Sequence, residues 1–282
     1  MKKIFCFGDS WTFGLGSELE PGSGFIEESV RNSHEFRKNQ TYEYSYPAQL
    51  QTLLKSNKVI NLGHPGCSNY HIFNKIFKHL DIVMYPLLED QINEGDIVIV
   101  GFTSILREPL TFFHADAYNT FTENSIKGLT DGKQRFIPYW LKSIQDNKLK
   151  EASIVAFEDF ILNRLNFSFF HEICMNYVCQ LQSIFSELGV NFIFFNAFEN
   201  ILNKDISFYN QIKLENWIMP EYTMSDYLCD KEIDLDKNLP YSVWENDIKK
   251  NRRNLDGPHP NRIGYEYITK LVYDKIIENK FI

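Results

Sequence analysis

The chain has 282 residues, of which 44% are hydrophobic, 15% aromatic and 23% charged. These fractions are ordinary for a folded protein and exclude a disordered or collagen-like chain. Lys and Arg number 29 against 37 Asp and Glu, a net charge of −8, which argues against a nucleic-acid backbone as main partner because that requires a basic surface.

In chain order, Ile4–Phe7 is a short apolar run stopped by Gly8 and predicts a buried strand. The run is too short for the roughly 7–15-residue core of a signal peptide, despite Lys2 and Lys3 before it. No segment reaches the roughly 18 apolar residues of a membrane span, so a cytoplasmic location is expected. Residues 11–40 are polar and Gly-rich, a loop with at most a short helix. A helix is predicted over 46–55, opening at Pro47 and placing Leu50, Leu53 and Leu54 on one face. Val59–Leu62 predicts a second strand. Residues 69–92 have a helical pattern that Pro86 should break or kink. Asp96–Val100, ended by Gly101, is the clearest strand; its continuous β-branched run predicts burial on both faces of a parallel sheet.

Residues 105–150 carry many aromatics without a strong period and are expected to be an insertion. A long helical region over 151–188 should end near Gly189. Val190–Phe195 is a fourth core strand, and 200–255 is a polar, acidic and aromatic second insertion. The last helix, 261–280, presents Tyr267, Ile268, Leu271, Val272 and Ile276 on its apolar face. Alternating strands and helices predict a doubly wound α/β sandwich, a central mostly parallel sheet flanked by helices. Without repeats or a low-complexity linker, 1–282 is expected to be one domain. Five cysteines in a chain this long predict buried free thiols rather than a disulfide framework.

Three blocks carry chemistry. Ser10 follows the first strand in Gly8-Asp9-Ser10, at the kind of strand end where open parallel sheets place ligands. Asp256-Gly257-Pro258-His259-Pro260-Asn261 precedes the last helix, and the Asp-x-x-His spacing lets a carboxylate reach the imidazole. A serine nucleophile needs a base, and the base an orienting acceptor; Ser10, His259 and Asp256 supply the three. Gly63 and Gly66 follow the second strand, where backbone N–H groups can face a developing oxyanion. Asp9 is expected to bond backbone in the turn rather than to act as an acid.

These blocks, with Asn61-Leu62-Gly63-His64-Pro65-Gly66 and Tyr44-Ser45-Tyr46-Pro47-Ala48-Gln49-Leu50, resemble the SGNH (GDSL-type) hydrolase superfamily in order and span. The resemblance implies a flavodoxin-like sheet and metal-free ester or thioester hydrolysis. It also implies Ser10 as nucleophile, His259 as general base, Asp256 as its orienter, and the N–H groups of Ser10 and Gly66 as oxyanion hole. One block departs from the family's Gly-x-Asn-Asp. Here Gly101-Phe102-Thr103-Ser104 follows the third strand, with Thr103 where an oxyanion-donating Asn is usual. Either the Thr103 hydroxyl substitutes, or another group such as Asn69 reaches in, or activity is weak.

The expected function is a serine esterase for a small acyl ester, with an acetyl group on a carbohydrate as candidate, and no cofactor. The alternatives are an acyltransferase, a thioesterase or lipid esterase with the same triad, and a weakly active binding module. His64-x-x-Cys67-x-x-x-His71 lacks the partner cluster that would complete a zinc site. Gly14-Leu15-Gly16 has Leu19 where a dinucleotide fingerprint needs its third glycine. Aromatics such as Trp217, Tyr222 and Trp244 either wall a ligand or pack the insertions onto the domain. The basic run Lys249-Lys250-Asn251-Arg252-Arg253 is read as a solvated loop or an anion grip. Nothing in the pattern sets an oligomeric state.

Overall fold

The computed structural model describes residues 2–14, 17, 42–80, 90–103, 167–197, 199–233, 260 and 262–282. Four apolar runs form strands β1 (Lys3–Gly8), β2 (Lys58–Gly63), β3 (Ile97–Phe102) and β4 (Asn191–Asn196). All neighbours pair in parallel, in the order β2-β1-β3-β4. Phe7 lies opposite both Leu62 and Val100, and Val100 opposite Phe194. The helices are α1 (Ser10–Phe13), α2 (Tyr46–Leu53), α3 (Asn69–His79), α4 (Phe167–Glu187), α5 (Met224–Ile233) and α6 (Arg262–Glu278).

Strand side chains alternate between two cores, as the pleat requires. Phe5, Phe7, Val98, Val100, Phe192 and Phe194 pack with α3 and α4 through Ile72, Ile76, Val178 and Leu181. Ile4, Cys6, Ile97, Ile99, Ile193 and Phe195 pack with α2, α5 and α6 through Leu50, Leu228, Ile268 and Val272. Helices therefore cover both faces, as a doubly wound parallel sheet demands. Every β3 residue is buried, as its apolar run predicts. Because β2 and β3 flank β1, the connections run in opposite directions from it, and the switch point lies at the C-terminal ends of β1 and β3. Ligands bind at such a crevice in open α/β sheets.

Local chemistry fixes the ends. Ser68 caps α3 by accepting the His71 N–H. Helix α4 stops at Gly189, whose φ of 66° is left-handed, and the Val190 N–H closes back on Phe185 O at 2.8 Å.

Several expectations change. The helix expected over 69–92 ends at His79, whose carbonyl accepts the Ile92 N–H at 2.9 Å. Pro86 lies outside the described residues. Gly101 does not end the third strand but continues it to Phe102. In α2, Leu53 is 55% exposed, whereas Leu54 leaves helical geometry and turns into the core. On α6, Ile268, Val272 and Ile276 are buried as expected; Tyr267 and Leu271 are half-buried, and Tyr265 is fully buried. Cys6, Cys67 and Cys174 are buried free thiols, but Cys179 is half-buried.

The 105–150 segment lies outside the described residues. The start of the second insertion covers the free edge of β4, with bridges Phe194 to Trp217 and Asn196 to Thr223, and contributes α5, which the sequence pattern did not reveal. Trp217 is core: its ring stacks on Phe102 at 5.7 Å and meets Phe194 edge-on, while Tyr222 is exposed. Among the described residues no helix is long and apolar enough to cross a membrane.

Candidate active site

The one-turn helix α1 sits on the C-terminal edge of the sheet because three strand-end glycines make room for it. A Cβ on Gly8 would fall 2.0 Å from Thr12 Oγ1, and one on Gly63 2.2 Å from Phe13 N. A Cβ on Gly101 would meet the Phe195 ring at 2.5 Å and Thr12 Oγ1 at 3.1 Å. Thr12 thus occupies a slot between β1 and β3, its hydroxyl donating to Phe7 O at 3.4 Å. Gly14 ends the turn with φ of 102° and lies against Ser45 just before α2. Ser10 is the first residue of this turn and is 3% exposed.

The turn after β2 wraps the same point. The His64 N–H donates to Gly8 O at 2.9 Å and Cys67 Sγ to the same oxygen at 3.4 Å, so residues 64–67 lie beside Gly8-Asp9-Ser10. Gly66, at φ of 74° with nothing within 4 Å of its Cβ position, borders open space. Its N–H donates to no described residue.

The third block is arranged around a buried network. Thr103 is held at both backbone groups by the Asn69 amide: Thr103 N–H donates to Asn69 Oδ1 at 2.9 Å, and Asn69 Nδ2 to Thr103 O at 3.1 Å. Asn69 Nδ2 also lies 3.4 Å from Cys174 Sγ on α4. The Thr103 hydroxyl donates to Asp9 Oδ2 at 2.7 Å, and Asp9 Oδ1 accepts the Trp11 N–H at 2.9 Å. A hydroxyl has one proton, and in Thr103 it lies on Asp9. Asn69 bonds the backbone of residue 103, so both residues singled out at the departing block bond each other or Asp9. The Asp9–Thr103 bond crosses the switch point.

Asp256 and His259 lie outside the described residues. The start of α6 that follows them rests on the α1 side: the Arg262 guanidinium covers the Tyr44 ring at 3.5 Å, next to the Ser45 that packs on Gly14. Thr269 of α6 also bonds Gln49 of α2 at 3.3 Å. The basic run 249–253 and Trp244 are likewise outside the described residues.

Beneath the Ser10 turn, burial pushes the Cys6 thiol up to about 12. The Tyr46 phenol is raised by burial first and by neighbouring Cys6 next, so both groups are neutral near pH 7. His71 is lowered by burial and by the charges of His64 and Lys78, and its Nδ1 pairs with Ser68 Oγ at 2.9 Å. Among the described residues no three His, Cys, Asp or Glu side chains come together as a metal would need. A cavity of about 280 Å³ opens near β4, between His171 of α4 and the loop carrying Asn200 and Glu221, and neither Ser10, Gly66 nor Thr103 lines it.

No protein-family model matches the chain, and neither does any curated protein. Among solved structures, it is similar to an acetyl xylan esterase, AlAXEase, at 11% identity and a TM-score of 0.42, over 97% of this chain and 99% of that one. It is also similar to a member of the lipolytic protein G-D-S-L family from Veillonella parvula DSM 2008, at 12% identity and a TM-score of 0.32, over 99% and 97%. The parallel β2-β1-β3-β4 order, with Gly8-Asp9-Ser10 at the switch point, makes the fold a doubly wound α/β sandwich.

Proposed function

We propose that the protein is a serine esterase that removes a small acyl group, with an acetyl ester of a carbohydrate as the candidate substrate. One observation carries this: Ser10 opens a turn seated between the ends of β1 and β3, and the Gly66 N–H in the adjoining turn donates to no described residue. Ser10 Oγ attacks the acyl carbon while His259 takes its proton, and Asp256 holds the imidazole and stabilises its charge. The N–H groups of Ser10 and Gly66 receive the oxyanion, as preorganised donors aimed at the developing charge. His259 then protonates the leaving alcohol, and water activated by the same imidazole opens the acyl-enzyme. Ser10 and His259 stand near opposite ends of the chain, so catalysis by this pair requires one domain over 1–282. The position of Arg262 above Tyr44 supports such a meeting.

The test is hydrolysis of nitrophenyl esters from acetyl to octanoyl. Turnover should be highest for acetyl and should fall by at least about 10³-fold in Ser10→Ala and His259→Ala. Folded protein with no turnover on any chain length, or a Ser10→Ala variant as active as the parent, overturns the assignment.

A further inference from the structure

We propose that Thr103 is a positioning residue for Ser10, acting through Asp9 rather than on the substrate; this rests on the serine-esterase assignment above. Thr103 is fully buried, and both of its backbone groups are clamped by Asn69. The clamp fixes the direction of its side chain, whose hydroxyl reaches Asp9 Oδ2 at 2.7 Å. Asp9 is fully buried as well, and its other oxygen holds the Trp11 N–H. Ser10 stands between these two anchored residues, so its Cα is fixed from both sides.

The chain of bonds Asn69, Thr103, Asp9, Trp11 joins α3, the end of β3, the end of β1 and α1. It spans the crevice where strand order reverses, the place where drift between β1 and β3 would displace the nucleophile. The position where the resembled family has an oxyanion donor is thus used here to hold the serine turn. The oxyanion is left to backbone donors.

The experiment compares Thr103→Val and Thr103→Ala, which lack the hydroxyl, with Thr103→Ser, which keeps it. The readouts are the rate constant for Ser10 phosphonylation by a fluorophosphonate, kcat and KM on nitrophenyl acetate, and thermal melting. The Val and Ala variants should lose about tenfold to a hundredfold in kcat and in phosphonylation with KM unchanged, and Ser should stay within about threefold of the parent. The Ser and Ala pair differs only in the hydroxyl, so the comparison survives if Val fails to fold. In an Asp9→Ala background, Thr103→Ala should add less than about a twofold loss, since the bond is already gone. Parental rates in Val and Ala, an equal fall in Ala and Ser, or losses that multiply in the Asp9 background each overturn the positioning role. The last outcome would place the hydroxyl on the oxyanion itself. A parent protein that is never phosphonylated overturns the esterase assignment, and the positioning role with it.

Discussion

Gly63→Ala isolates the seating of the Ser10 turn from every other property of the site. Gly63 is not among the glycines with positive φ, so alanine brings no backbone penalty there. Its methyl would lie 2.2 Å from Phe13 N and 2.7 Å from both Phe13 Cα and Thr12 C, all backbone atoms that no rotamer change can move aside. Ordinary contact begins near 3.4 Å, so α1 must retreat from β2 by about 1.2 Å. A displacement of about 1 Å in catalytic geometry costs on the order of 10²-fold in rate, or about 2.7 kcal/mol in transition-state stabilisation. Overpacking should lower stability by about 1–3 kcal/mol as well. The assay is kcat/KM on nitrophenyl acetate at a temperature where the variant is folded, with urea midpoints measured in parallel. Gly95→Ala is the control. Gly95 lies before β3 at the opposite edge of the sheet, with φ of 81° and open space around it. It should cost roughly 1–2 kcal/mol of stability through the left-handed backbone alone, with unchanged turnover. A folded Gly63→Ala protein within threefold of the parent would refute the seating of α1 by the strand-end glycines.

On α2, Leu50→Ala should cost about 2–5 kcal/mol because that side chain is fully buried, while Leu53→Ala, at a site 55% exposed, should stay within about 0.5 kcal/mol in urea unfolding. Trp217→Ala should cost about 3–5 kcal/mol by the same measurement, as expected for a core ring stacked on Phe102 and not for an exposed ligand wall. The Cys6 thiol, held neutral to about pH 12 in the fold, ionises near 9 when unfolded. Its contribution is therefore fully present below pH 9 and is lost as pH rises from about 9 to about 12, by at most roughly 1.4 kcal/mol per pH unit. Melting temperature should fall over that window, and the fall should be shallower in Cys6→Ala; identical pH slopes would contradict a neutral buried thiol.

β1, β3 and β4 were legible because each is an apolar run buried on both faces, and β2, though part-exposed, because Val59, Ile60 and Leu62 still form a short apolar run. The turn at Ser10 was legible for a related reason, since Gly8 directly after such a run ends the strand and Ser10 opens the next turn. Less could be read where structure depends on residues far apart in the chain. Gly101 reads locally as a stop, yet its missing side chain serves Thr12 and Phe195 from neighbouring elements. The Asp9–Thr103–Asn69 network joins residues separated by 94 and 34 positions, and no spacing announces it. Asn69 was a candidate to reach the oxyanion; its amide instead binds the Thr103 backbone. Helix α5 escaped notice because its apolar face is weak and its burial comes from packing with α6 across the second core. Leu53 followed the helical period but fell outside the core because α2 ends there and Leu54 turns inward instead.

The central claim is that Ser10 is an activated nucleophile, and mass-spectrometric mapping of a fluorophosphonate adduct tests it most directly. One adduct per chain on the peptide carrying Ser10, absent in Ser10→Ala and strongly slowed in His259→Ala, is the predicted result. Folded protein that forms no adduct, or forms it on another residue, would contradict the account.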